Sequence, residues 1–151
     1  MRLTLSSGDL SLEIDPAAGG AVSALRRGDL DILRPAPPRS GPAYAPLKYA
    51  AFPMVPFVGR IHNGQCAING STIQLHPNLQ PEPHAIHGYG WQSAWKVSSH
   101  EADTITLVHE HSADAWPWDY VATQTFRIED TALIVELGLT NRGPNAMPAG
   151  L

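Results

Sequence analysis

Arginine, histidine and tryptophan gather in one stretch of this chain, FPMVPFVGRIHNGQCAINGSTIQLHPNLQPEPHAIHGYGW, residues 52–91. Two short clusters in it could do chemistry: Val58-Gly59-Arg60-Ile61 and His84-Ala85-Ile86-His87-Gly88. Arg60 carries a rigid fork of N–H donors, and His87 a ring that donates, accepts or titrates near neutral pH. Together they can line a polar pocket. Each has a plainer reading. Arg60 can be a strand-end arginine paired to a carboxylate, a common surface arrangement. His87 can occupy a turn before Gly88. Trp91 and Trp95 can both be core, the usual place for tryptophan in a β-sandwich. His84 and His87, three apart, and His109 and His111, two apart, have the look of zinc ligands. The first pair lies in a non-helical loop, however, and no acidic third ligand stands at a matching spacing. We therefore expect no metal. His109 and His111 are expected on the solvated face of their strand beside Glu110.

The element that must bring Arg60 and His87 together is a hairpin. Gln65 to Ile68 and Ser71 to Leu75 flank Asn69-Gly70, the strongest short-range hairpin signal. In an antiparallel pair, the residue before the first strand and the residue after the second lie at the same end. Arg60 and His87 are thus expected at one sheet edge. Cys66, on the first of these strands, reads as a small buried hydrophobe.

The rest of the chain is strand and turn. Leu10, Leu12 and Ile14 alternate with polar neighbours, as a half-buried strand should. Leu3 to Leu5, Ala21 to Leu25 and Leu30 to Leu33 complete the first group. A Pro-, Ser- and Gly-rich surface loop is expected over Arg34 to Pro46. After His87 come Ala94 to Ser98, Thr104 to Glu110, Val121 to Ile128 and Ala132 to Leu139. In the last, Leu133, Val135, Leu137 and Leu139 face one way, which suits an antiparallel sheet with one wet face. No segment has a helical period of useful length, so the expected class is an all-β sandwich.

Composition bounds the function. The chain has 151 residues, enough for one domain with a real core, and 16% are charged. Its net charge of -4, with basic residues scattered, argues against nucleic-acid or anionic-membrane partners. No apolar run approaches the ~20 residues of a membrane span. No signal peptide is read, since the start turns polar at Ser6-Ser7-Gly8. One cysteine allows no internal disulfide and suits a reducing compartment, so a cytoplasmic location is expected.

The ordered set of motifs resembles the N-terminal part of the aldose 1-epimerases, or galactose mutarotases. The set comprises Pro53-Met54-Val55-Pro56-Phe57, Gly59-Arg60-Ile61, Asn63-Gly64, His84-Ala85-Ile86-His87-Gly88 with Trp91 and Trp95, Trp116-Pro117, Asn141 and Met147-Pro148-Ala149-Gly150-Leu151. The resemblance implies a galactose mutarotase-like antiparallel β-sandwich (a supersandwich), of which residues 1–151 are the N-terminal portion, incomplete at its C-terminus. It implies interconversion of the α and β anomers of an aldohexose by general acid–base ring opening, without a cofactor. It also implies that the family's acid histidine and base glutamate lie beyond Leu151, so none of the catalytic residues falls within 1–151. Arg60, His87 and Trp91 become the implied sugar-binding residues, with Tyr89, Trp116 and Trp118 as further candidates. Two departures stand out. Many relatives have Asn-Arg where this chain has Gly59-Arg60, and His-Gly-Gly where it has His87-Gly88-Tyr89. Two rival readings are a non-catalytic carbohydrate-binding β-sandwich and a structural β domain sharing only the fold.

Overall fold

The computed structural model describes residues 1–38, 46–68 and 70–151. In chain order the strands are β1 (Leu3–Ser7), β2 (Leu10–Asp15), β3 (Ala21–Arg27), β4 (Leu30–Leu33), β5 (Arg60–Ile61), β6 (Gln65–Ile68), β7 (Ser71–Gln74), β8 (Ala85–Ile86), β9 (Lys96–His100), β10 (Thr104–His111), β11 (Tyr120–Glu129) and β12 (Ala132–Asn141). Among the described residues the only helical pieces are single 3₁₀ turns, so the all-β expectation holds.

Two antiparallel meanders form the body, β1-β2-β3-β4 and β12-β11-β10-β9. Their facing sides share one core, built from Leu3, Leu5, Leu12 and Ile14 on one sheet and Ile105, Leu107, Phe126 and Ile128 on the other. The period of two decides this. Leu10, Leu12 and Ile14 of β2 are all buried, and so are Tyr120, Ala122, Gln124, Phe126 and Ile128 of β11. Burying each such aliphatic or aromatic side chain stabilises the fold by roughly 1.5–3 kcal/mol. Trp95 is in this core, as its plainer reading had it.

β12 is less covered than its sequence suggests. Leu133, Leu137 and Leu139 pack against the core, but Val135 is 47% exposed. The strand is the outer member of its sheet, so its apolar side has fewer neighbours.

The Asn69-Gly70 hairpin pairs as expected, Ile68 with Ser71 through Gln65 with Gln74. Gly70 has a φ of 78°, the left-handed backbone this turn needs, while Asn69 lies outside the described residues. Cys66 is half-buried against the core. Most of the loop expected over 34–46 also lies outside the described residues.

Candidate functional site

A two-rung ladder builds the site. Arg60 pairs with Ile86, and Ile61 with Ala85, antiparallel. The β6–β7 hairpin returns the chain between them, which is how residues at 60 and 87 come to one place. Just past the ladder the His87 amide donates to the Gly59 carbonyl at 3.0 Å. In return the Gly59 amide donates to Nδ1 of the His87 ring, also at 3.0 Å. The imidazole stands where a strand carbonyl would normally accept. Nδ1 is thus an acceptor, so the neutral ring carries its proton on Nε2. Burial, and then the Arg60 charge, hold the His87 pKa below its ordinary value. Near pH 7 the ring is therefore a neutral Nε2–H donor beside a fixed cation.

Backbone strain accompanies this placement. His87 has a φ of 57°, in the left-handed region that non-glycine residues rarely occupy. Gly88 follows at a φ of 68°, and a Cβ there would stand 2.1 Å from the Val55 carbonyl oxygen. That oxygen accepts the amides of both Tyr89 and Gly90, at 2.9 and 3.1 Å. The approach of two backbones explains the glycine.

Trp91 needs a correction. The resemblance implied a sugar-binding residue, yet Trp91 is 0% exposed, as its plainer reading had it. Its 3₁₀ turn, Gly90–Gln92, tucks the indole under the loop. Its N–H donates to the carbonyls of Ile86 and Gly88, each at 3.1 Å. Phe52 stacks on it with ring centroids 5.6 Å apart, and the His87 ring meets it edge-on at 5.7 Å. Phe52 and His87, with rings 6.3 Å apart, are both half-buried. Sequence reasoning did not single out Phe52; an aromatic opening a motif outside any strand was the only signal. Trp116 and Trp118 are also buried in the core, although Trp118 borders a separate cavity with Pro117 and Asn145.

Arg60 itself is exposed. Its Nη2 and Nε reach the two carboxylate oxygens of Glu82 at 3.3 and 3.4 Å. These bonds are long and wet, and such a pair contributes little. The carboxylate-paired arginine of the plainer reading is thus present, beside His87 rather than instead of it.

The other histidines divide. The Nδ1 of His84 accepts the Asn63 amide at 3.1 Å, and its ring lies 5.3 Å from that of His62. No group of three His, Cys, Asp or Glu residues able to hold a metal occurs among the described residues. His109 and His111 are not on the solvated face. The alternation that buries Ile105 and Leu107 continues into them, and only Glu110 points out. His109 is 6% exposed, its Nε2 is 3.3 Å from the Tyr120 hydroxyl, and burial with the nearby His111 drives its pKa to about 4. The Nε2 of His111 lies 3.3 Å from the Asp114 oxygen to which the Tyr89 hydroxyl donates at 3.1 Å. Burial, then that carboxylate, push the Tyr89 hydroxyl up to about 12. Tyr89 borders a cleft of about 200 Å³, also lined by Phe57, Leu75, Asn78 and Asp114.

The last residues return to the site. Gly150 forms a parallel bridge with Phe57, and its amide donates to the Pro56 carbonyl at 3.1 Å. The chain at its end therefore runs in the same direction as Phe57-Val58-Gly59.

The family model for aldose 1-epimerase matches residues 1–151. The chain belongs to the aldose 1-epimerase family. It is similar to the uncharacterized protein YphB of Escherichia coli (strain K12), 34% identical over 147 residues, or 97% of this chain and 48% of that protein. A crystal structure from Escherichia coli K12, of a protein provisionally named an aldose 1-epimerase, superimposes with a TM-score of 0.89. The identity there is 31%, covering 99% of this chain and 49% of the other. A galactose mutarotase related enzyme from Lactobacillus acidophilus shares the fold, with a TM-score of 0.77 at 17% identity, over 97% of this chain and 45% of that one. The chain thus spans about half the length of these relatives and has the galactose mutarotase-like sandwich fold. No helix among the described residues is long and apolar enough to cross a membrane.

Proposed function

We propose that these residues form the sugar-holding half of an aldose 1-epimerase acting on a free hexose. One observation carries the reading: His87, fixed as a neutral Nε2–H donor, lies just past the short ladder that holds Arg60, near enough to feel its charge. A hexose brought out of water needs partners for each hydroxyl. Arg60 supplies a fork of donors once its loose pairing with Glu82 gives way. The His87 Nε2–H supplies a directed one, to a hydroxyl or to the ring oxygen. Phe52, half-buried against Trp91, offers an apolar ring for sugar C–H groups.

Mutarotation then needs two more groups. A base takes the proton of the anomeric hydroxyl, the C1–O1 bond becomes a carbonyl, the C1–O5 bond breaks, and an acid protonates O5. Rotation about C1–C2 and reclosure give the other anomer. By family resemblance the acid and base belong to sequence following the counterpart of Leu151.

Titration of the 151-residue chain with D-galactose and D-glucose tests the binding. The ring signals of His87 should shift saturably, and Arg60→Ala should abolish the shift. Absence of any His87 response at saturating sugar overturns the reading. Polarimetry on fresh α-D-glucose should show no acceleration beyond that of equimolar free histidine, because acid and base must be held on the sugar together. Saturable acceleration lost in His87→Ala would show that these residues carry their own chemistry.

A further inference from the structure

We propose that Asn78 is a positioning residue of this site: its carboxamide locks the backbone on both sides of His87 and so sets where the Nε2–H points. The inference rests on the reading of His87 as the sugar-facing donor.

Asn78 makes three side-chain hydrogen bonds, all to the residues flanking His87. Its Nδ2 donates to the Ile86 carbonyl at 2.7 Å and to the Gly88 carbonyl at 3.1 Å. Its Oδ1 accepts the Ile86 amide at 2.8 Å. β8 has β5 on one side only. On the other side Asn78 gives Ile86 the donor and acceptor that a third strand would give. The Asn78 carbonyl is itself held, accepting from Nε2 of Gln92 at 2.6 Å.

The indole of Trp91 donates to the same two carbonyls, each at 3.1 Å. Two donors therefore converge on each of two oxygens, which fills both lone pairs of each. The peptide before His87 and the peptide after Gly88 are thereby fixed. Between them His87 keeps its left-handed φ of 57°, a conformation that persists only where its surroundings over-determine it. The two clamps are not equivalent. Trp91 can hold only the carbonyls, whereas Asn78 also satisfies the Ile86 amide. The ring follows from the backbone: with His87 turned left-handed, Nδ1 meets the Gly59 amide and Nε2 is left for a ligand. A different φ would swing the ring off Gly59 and release its tautomer.

The test is nitrogen NMR of the histidine rings in the 151-residue chain and in Asn78→Leu, which keeps size and leaves the charge unchanged. In the parent, His87 should be the Nε2–H tautomer with a pKa below the ordinary value. In Asn78→Leu the tautomers should mix and the pKa should rise toward ordinary, while the His109 signals and the far-UV circular dichroism stay unchanged. A folded Asn78→Leu with parental His87 tautomer and pKa overturns the proposal. Should that variant fail to fold, the parent decides: the Asn78 side-chain amide protons should exchange at least about tenfold more slowly than those of free asparagine. Exchange at the free rate overturns the proposal as well. Sugar titration separates the two levels. A His87 tautomer lost in Asn78→Leu, with no sugar response in the parent, upholds Asn78 and sinks the sugar reading.

Discussion

Gly59 and His87 hydrogen-bond in both directions, amide to carbonyl one way and amide to imidazole the other, each at 3.0 Å. Gly59 itself has a φ of 83°, and no atom lies within 4 Å of where its Cβ would be. A side chain there meets strain but no clash. Gly59→Ala should therefore cost about 1 kcal/mol. Gly59→Asn, the residue the resemblance leads one to expect, should cost less, because asparagine tolerates this backbone. Urea denaturation of the three proteins checks the order; equal stability of Ala and Asn variants would contradict it.

Gly88 differs from Gly59 in kind. Positive φ is joined there by a backbone oxygen 2.1 Å from the Cβ position. Gly88→Ala should destabilise by about 3 kcal/mol or more, since strain and overlap add. A thermal or urea transition close to the parent's would show that the Val55–Gly88 contact yields easily.

Much of the fold was legible. Alternation at Leu10 to Ile14 and Leu133 to Leu139, with the turns between the other runs, located the eight strands of the two meanders, though Ala94 to Ser98 was read where the strand is Lys96–His100. Asn69-Gly70 located the hairpin. The ladder of Arg60-Ile61 with Ala85-Ile86 was reachable only by inference through that hairpin, because a two-residue strand has no period to read. The facing of His109 and His111 was written in the sequence: Ile105 and Leu107 set the phase, and the histidines share it. Their polarity outweighed that phase in the reading. Trp91 misled for a different reason. An aromatic beside a sugar motif has no marker of which way it points, and burial by a 3₁₀ turn is a tertiary outcome. Asn78 left no signal at all, since a loop asparagine that completes a strand edge looks like any other.

Buried His109 should make stability pH-dependent. Its folded pKa of about 4 lies below the ordinary 6.5, from burial first and His111 second. The unfolded chain therefore binds the proton more readily. Stability from this residue is fully present above pH 6.5 and is lost as pH falls toward 4, by on the order of 3 kcal/mol. The depressed His87 acts with the same sign. Urea midpoints from pH 7 to pH 4 should fall in the parent and fall less steeply in His109→Gln. Parallel curves would remove His109 from the account.

Glu82 should matter little for folding. Its bonds to Arg60 are 3.3 and 3.4 Å long, and the Arg60 side chain is 55% exposed. Glu82→Gln should change unfolding free energy by less than about 0.5 kcal/mol. A loss above about 2 kcal/mol would mean that Arg60 is anchored rather than available.

The bridge from Phe57 to Gly150 also bears on the order in which the molecule assembles. Each meander closes through neighbouring hairpins, which local chain closure makes quick. The bridge instead joins residues 57 and 150, separated by more than half of the chain, and it can pair only when that long segment has come home. Strand pairing in the body can thus precede completion of the pocket. The same asymmetry should work in reverse: amide exchange at Gly150, whose N–H the Pro56 carbonyl accepts, should be faster than in the central strands of either sheet.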